Sequence, residues 1–262
     1  MKKRKRKRKI KSNKGYIFII VILTSIIGYN VIMNNKNNVN NQNNENDKLN
    51  TNETSNEVFD EQKDIPAVSN ANLEELNKWY LTLVNRNNKM PEDYVFTTKK
   101  LDSIREFDSR AIDKLLAMIN AARKDGVSNI WAQSTYRSVE RQEVLVQNSI
   151  NKYMKEGYSK QEAEDKTFKE INIPGTSEHN LGLAVDFNTI TTEFENTKAF
   201  KWLQENAENY GFILRYPKDK VDITMVKYEP WHYRYVSKEH AIKINDLDMC
   251  LEEYIEYLKG NI

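Results

Sequence analysis

The sequence predicts an α+β fold, and three observations carry the prediction. Apolar residues recur at helical spacing in several runs that begin at capping residues. Other runs are too short for helices, rich in β-branched and aromatic residues, and bounded by glycine or proline. No internal repeat joins them, so segregated helices and short strands give one mixed domain.

In chain order, Asn72 is the expected cap of a first helix carrying Leu73, Leu76, Tyr80 and Leu83. Asp108 or Ser109 opens a second, with Ile112, Leu115, Leu116 and Ile119 on its apolar face and Gly126 past its end. Residues 129–133 read as a strand, and Ser138 caps a helix running to Gly157. Ser159-Lys160-Gln161-Glu162 is a capping box for the next helix, which Pro174-Gly175 closes off. Residues 183–187 read as a strand, a helix over 198–209 stops at Gly211, and 212–216 with 223–228 form a hairpin. Ser237 caps a final helix with Ile244, Leu251, Ile255 and Leu258 inward.

The N-terminal quarter divides differently. Of 262 residues, 1–14 hold ten Lys or Arg and no acid, which leaves 30 basic against 38 acidic residues in the remainder. A net charge of +2 therefore conceals an acidic body with a basic tail, and nucleic acid is not an expected partner. Residues 15–33 carry no charge and are about as long as a bilayer requires, so they are expected to be an uncleaved signal anchor with the N-terminus cytoplasmic. No small-x-small cleavage site follows. Residues 34–57 contain 12 asparagines in 24 positions, so 34–65 is expected to be a disordered tether, reaching about 30 Å. The folded domain is placed at 66–262, and with one cysteine, Cys250, it has no intrachain disulfide.

The candidate chemistry lies in SEHNLGLAVDF (177–187) and YEPWHY (228–233). His179 and Asp186 offer a nitrogen and an oxygen that a catalytic zinc accepts, His232 offers a distant third ligand, and Glu229 a carboxylate three residues before it. The interval of seven would put His179 and Asp186 on opposite faces of a straight strand, so the chain must turn at Asn180 and Gly182. Pro230 biases Glu229 to an extended conformation, which excludes the helical H-E-x-x-H arrangement. Taken alone, His179 and Asp186 could equally be a packed histidine and a solvated carboxylate.

These two motifs, with LVN (83–85), PEDY (91–94), STYRS (134–138) and GFILRYP (211–217) in order, resemble the VanY-type zinc D-alanyl-D-alanine carboxypeptidases. That metallopeptidase group includes VanX-type dipeptidases and shares its fold with the Hedgehog signalling domain. The resemblance implies a small antiparallel sheet carrying the zinc site and flanked by helices, and one Zn2+ per chain held by His179, Asp186 and His232. It implies Glu229 as the catalytic base and Arg137 as a stabiliser of the transition state, with the ordinary alternative of a surface ion pair to Glu140. Ser177 and Gln142 resemble peptide-binding positions, although Ser177 could instead cap the metal loop. Thr135 stands where many relatives carry glycine. Trp231 and Tyr216 could wall the substrate pocket or simply pack the core, and His240 is expected at the surface, outside the metal site. The implied activity is removal of the terminal D-alanine from peptidoglycan stem peptides by metal-activated water, the reaction that serine-type enzymes perform covalently. An L,D-carboxypeptidase, an endopeptidase or a non-catalytic zinc-containing wall-binding module are the alternatives. A monomer, anchored in the membrane with its catalytic domain extracytoplasmic, completes the expectation.

Overall fold

The computed structural model describes residues 70–260. The expected tail, anchor and tether (1–14, 15–33 and 34–65) lie outside them, as do 66–69 and 261–262 of the expected domain. Among the described residues no helix is long and apolar enough to cross a membrane.

Helix α1 (Asn70–Leu76) begins two residues before the expected cap at Asn72 and does not reach Leu83; a 3-10 turn over Trp79–Leu81 replaces its continuation. A hairpin that sequence reasoning missed follows, β1 (Thr98–Lys100) against β2 (Glu106–Asp108). It takes Asp108 as its last residue, so α2 (Ile112–Lys124) starts later than Asp108 or Ser109 would have set it. Ile112, Leu115, Met118, Ile119 and Ala122 are buried on α2, whereas Leu116 is 36% exposed and not part of the inward face.

The main sheet runs β3-β4-β6-β5, antiparallel throughout: β3 (Ala132–Ser134), β4 (Ala184–Phe187), β6 (His232–Tyr235) and β5 (Phe212–Leu214). The expected strand 223–228 does not exist. Residues 221–224 are a helical turn, α6 (Val221–Thr224), and the hairpin partner of β5 is β6. Between β3 and β4 come α3 (Val139–Lys155), capped by Ser138 accepting from the Arg141 N–H, and α4 (Lys160–Glu170), opened by the Ser159/Glu162 capping box. Between β4 and β5 lies α5 (Lys198–Asn206), extended by a 3-10 turn to Gly211. The expected single C-terminal helix is two, α7 (Lys238–Asp246) and α8 (Leu251–Leu258), broken where Asp248 adopts a positive φ. Ser237 precedes α7 without a capping hydrogen bond from its side chain.

Alternation along the strands divides the sheet into two faces. Val185, Phe187, Tyr233 and Tyr235 join α2 and α5 in the principal core. Ala184, Asp186, His232 and Arg234 therefore share the opposite face, where the three polar side chains are buried beside Ala184. Ile244, Leu251, Ile255 and Leu258 pack with Ile213 and Val236 in a second cluster, despite the break between the helices.

Candidate metal centre

Register builds the centre. Asp186 on β4 pairs directly with His232 on β6, so their side chains emerge side by side on one face. The Nδ1 of His232 stands 3.0 Å from Asp186 Oδ1. His179 arrives from the 3-10 turn Glu178–Leu181, whose end at Gly182 has φ +72°, a conformation that returns the chain into β4. Its Nε2 lies 3.2 Å from Asp186 Oδ2. One donor atom from each of His179, Asp186 and His232 falls within 4.8 Å of the others.

The donor set fits a zinc ion. Tetrahedral coordination at ~2.0–2.1 Å places neighbouring ligand atoms roughly 3.3 Å apart, and each imidazole stands that close to one oxygen of Asp186, His232 at 3.0 Å from Oδ1 and His179 at 3.2 Å from Oδ2. The tautomers fit as well. His179 Nδ1 is engaged at 2.7 Å by the Thr135 carbonyl, so that nitrogen carries the proton and Nε2 presents its lone pair. Burial opposes charge on His232, but hydrogen bonding to Asp186 and Glu178 outweighs it and pushes the imidazole up to about 10. The pocket thus concentrates negative charge at a point where a cation is welcome. Asp186 itself is held far below the usual carboxylate range: burial acts against ionisation, and the two histidines more than offset it.

Glu229 reaches the same place from the loop before β6. Its Oε2 is 3.7 Å from His232 Nδ1. Burial, partly offset by His232 and reinforced by Asp186 and Glu178, raises its carboxyl to about 7, the range in which a group exchanges protons at neutral pH.

Arg137 follows β3 and is tied to the metal loop through its main chain. Its N–H donates to the His179 carbonyl at 3.1 Å, and its carbonyl accepts from Asn180 Nδ2 at 2.7 Å. The guanidinium donates to Gln142 Oε1 (2.8 Å) and Ser134 Oγ (3.3 Å), not to Glu140. Gln142 is buried and its amide also donates to the Asn172 carbonyl at 2.6 Å, so its polar atoms are occupied in holding Arg137. Ser177 is buried and gives the turn no side-chain cap. Tyr216 packs against the His232 ring with centroids 4.9 Å apart. Trp231 is half-buried against the principal core. All nine residues singled out in the sequence line one cleft of about 750 Å³.

Sequence reasoning missed the layer beneath. Glu178 Oε1 accepts from Arg215 Nε (2.6 Å) and Arg234 Nη1 (2.9 Å), and Arg215 also forms a bidentate pair with Glu252 (2.7 and 2.8 Å). The second Glu178 oxygen faces His232 Nε2 at 3.5 Å, and neither of those atoms has another hydrogen-bond partner. The available signal was period two: Arg234 stands two residues after His232 and hence on its face. His240 also differs from expectation. It is buried, with Nδ1 2.8 Å from Tyr254 Oη and Nε2 3.0 Å from Glu75, and it lies outside the metal centre.

Comparison with known proteins bears on this geometry. The family profile described as VanY, D-alanyl-D-alanine carboxypeptidase, matches residues 105–238. A D-alanyl-D-alanine carboxypeptidase of Enterococcus faecalis is 42% identical over 178 residues, 68% of this chain and 66% of that protein, so the match spans just under two thirds of the relative. Among solved structures, VanYB in complex with D-alanine-D-alanine is 41% identical with a TM-score of 0.61, covering 68% of this chain and 98% of that one. A VanY D,D-pentapeptidase variant from a VanB-type resistance cassette, in complex with Zn(II), gives 41% and 0.60 over 68% and 99%. The LdcB LD-carboxypeptidase gives 38% and 0.56 over 66% and 84%.

Proposed function

This chain belongs to the VanY family of D-alanyl-D-alanine carboxypeptidases, and from that premise we propose that it is a zinc-dependent enzyme removing the C-terminal D-alanine from peptidoglycan stem peptides. The observation that carries the proposal is the cross-strand pairing of Asp186 with His232, His179 Nε2 closing the set and Glu229 beside it. His179 through Nε2, Asp186, and His232 through Nδ1 would hold the zinc. When bound, zinc supplies Lewis acidity that lowers the pKa of water and polarises a scissile carbonyl.

The chain's own residues supply the rest. Glu229, with its carboxyl near 7, accepts a proton from the attacking water and returns it to the departing amine of D-alanine. Arg137, held by Gln142 and Ser134, presents the remaining N–H groups of its fork to the oxyanion or to the substrate carboxylate. Tyr216 and Trp231 wall the site and limit water around it. No nucleophilic serine is required, so no covalent acyl-enzyme is formed.

The likeness to the LdcB LD-carboxypeptidase supports a second reading, cleavage of tetrapeptide rather than pentapeptide stems. The test is mass analysis of products from both stems with the full chain, before and after chelation and zinc restoration, with Glu229→Ala as control. Loss of one alanine from the pentapeptide that requires both zinc and Glu229 sustains the D,D reading. Loss from the tetrapeptide alone replaces it with the L,D one. We further propose that the chain is a membrane-anchored monomer with this domain extracytoplasmic, on the support of the uncharged run 15–33 and the basic residues before it. Protease accessibility of the domain in intact cells and light scattering of the purified chain check the two parts.

A further inference from the structure

The cleft extends beyond the metal centre, and part of its lining has no task in the chemistry at the scissile bond. Arg86, Lys169 in the last turn of α4, and Lys227 two residues before Glu229 all line it, and all are exposed. Arg86 donates through Nη2 to the Phe168 carbonyl at 2.6 Å, which fixes its guanidinium beside Lys169 at the end of α4. Among the described residues none of the three stands within ion-pair distance of a carboxylate. The lining has one acid outside the metal centre, Glu170, which accepts a hydrogen bond from Tyr153 Oη. The same walls carry Leu145, Ile171, Ile190 and Val226, with Ile190 61% exposed. Solvated lysines are ordinary on a convex surface. Three unpaired cations and an aliphatic wall inside a substrate cleft instead complement a peptide segment that is aliphatic and bears a free carboxylate.

Resting on the peptidase reading, we infer that Arg86, Lys169 and Lys227 form a subsite for a free carboxylate upstream of the scissile bond, so that stems carrying it are preferred over their amidated counterparts. Two positions supply that chemistry: the α-carboxylate of a γ-linked D-glutamate at the second residue, or the side-chain carboxylate of a diaminopimelate at the third.

The zinc-loaded full chain is assayed on four pentapeptides ending in D-alanyl-D-alanine, with each of the two carboxylates free or amidated. At least one free acid is expected to exceed its amide by about tenfold in kcat/KM, mostly through KM, shrinking at about 0.5 M salt as surface charges are screened. The double variant Lys169→Ala/Lys227→Ala is expected to lose most of that preference while cleaving the fully amidated peptide as the parent does. Equal kcat/KM for all four, or a preference that survives the double variant, overturns the subsite. Should no peptide be cut, the peptidase reading fails separately, and calorimetric titration of the same peptides decides the subsite: tighter binding of a free acid sustains it and equal binding removes it.

Discussion

Glu229 shows at the scale of one residue how activity and stability oppose each other. Its carboxyl is raised from 4.5 to about 7 chiefly by burial, so the folded state favours the neutral form. A carboxyl raised in this way costs no stability below about pH 4.5, and the cost grows as pH rises until it is complete above about pH 7. Glu229→Gln is therefore expected to make the metal-free protein more stable by ~3 kcal/mol at pH 8 and by almost nothing at pH 4.5, read by denaturant unfolding at both pH values. The same variant is expected to retain zinc while losing at least about a hundredfold in kcat, because proton transfer is removed and the ligands are not. Glu178 acts in the opposite sense. Burial works against its charge, yet Arg215 and Arg234 hold it far below the usual carboxylate range. Glu178→Ala leaves the buried Arg234 without a carboxylate partner and Arg215 with Glu252 alone, and is expected to cost about 3–5 kcal/mol in unfolding free energy. An effect below about 1 kcal/mol would show that the network is dispensable.

At the scale of elements, the turn between His179 and Asp186 is the feature on which the ligand geometry depends. Gly182 ends it at φ +72°, and a Cβ there would lie 2.8 Å from the Phe96 ring and 3.3 Å from the Asp108 amide nitrogen. Gly182→Ala is expected to cost about 1–3 kcal/mol and to weaken zinc binding at least several-fold, because relief of the clash must move either the ring or the metal loop. Competition with a chromogenic chelator measures the second effect. This turn was legible in the sequence because an odd interval between two ligands cannot be spanned by a straight strand. Ser138 and the Ser159/Glu162 box were legible because a cap satisfies orphan amides locally. What was not legible depends on distant chain. Residues 223–228 have strand-like composition, yet β5 takes the later β6 as its antiparallel partner and the segment folds as a helical turn and loop. Leu116 continued an apolar run yet lies on the outward side of α2. His240 looked exposed in a first helical turn, and only contact with Glu75 and Tyr254, far away in sequence, buries it. The Glu178 network escaped notice for the same reason, since its partners Arg215, Arg234 and Glu252 come from three later segments.

For the whole molecule the metal is a cross-link as much as a reagent. The ligands proposed for it come from the turn before β4, from β4 and from β6, while the Thr135 carbonyl that orients His179 follows β3, so one bound ion would tie four stretches of chain together. A ligand bound only by the folded state adds about 4 kcal/mol at a thousand times its dissociation constant. For a domain of this size that corresponds to a fall in Tm of roughly 8–16 °C on chelation, reversed by zinc and absent in His232→Ala. The same linkage fixes the dependence on pH. His232 is pushed up to about 10, so near neutrality zinc must displace a proton from it, whereas Asp186 is already ionised. Zinc binding is therefore expected to release about one proton between pH 7 and 9, and its apparent affinity to rise by about tenfold per pH unit over that interval. Calorimetry in buffers of different ionisation enthalpy counts the protons directly. An affinity independent of pH there would mean that His232 is already neutral, and that the carboxylates around it do not raise its basicity against the effect of burial.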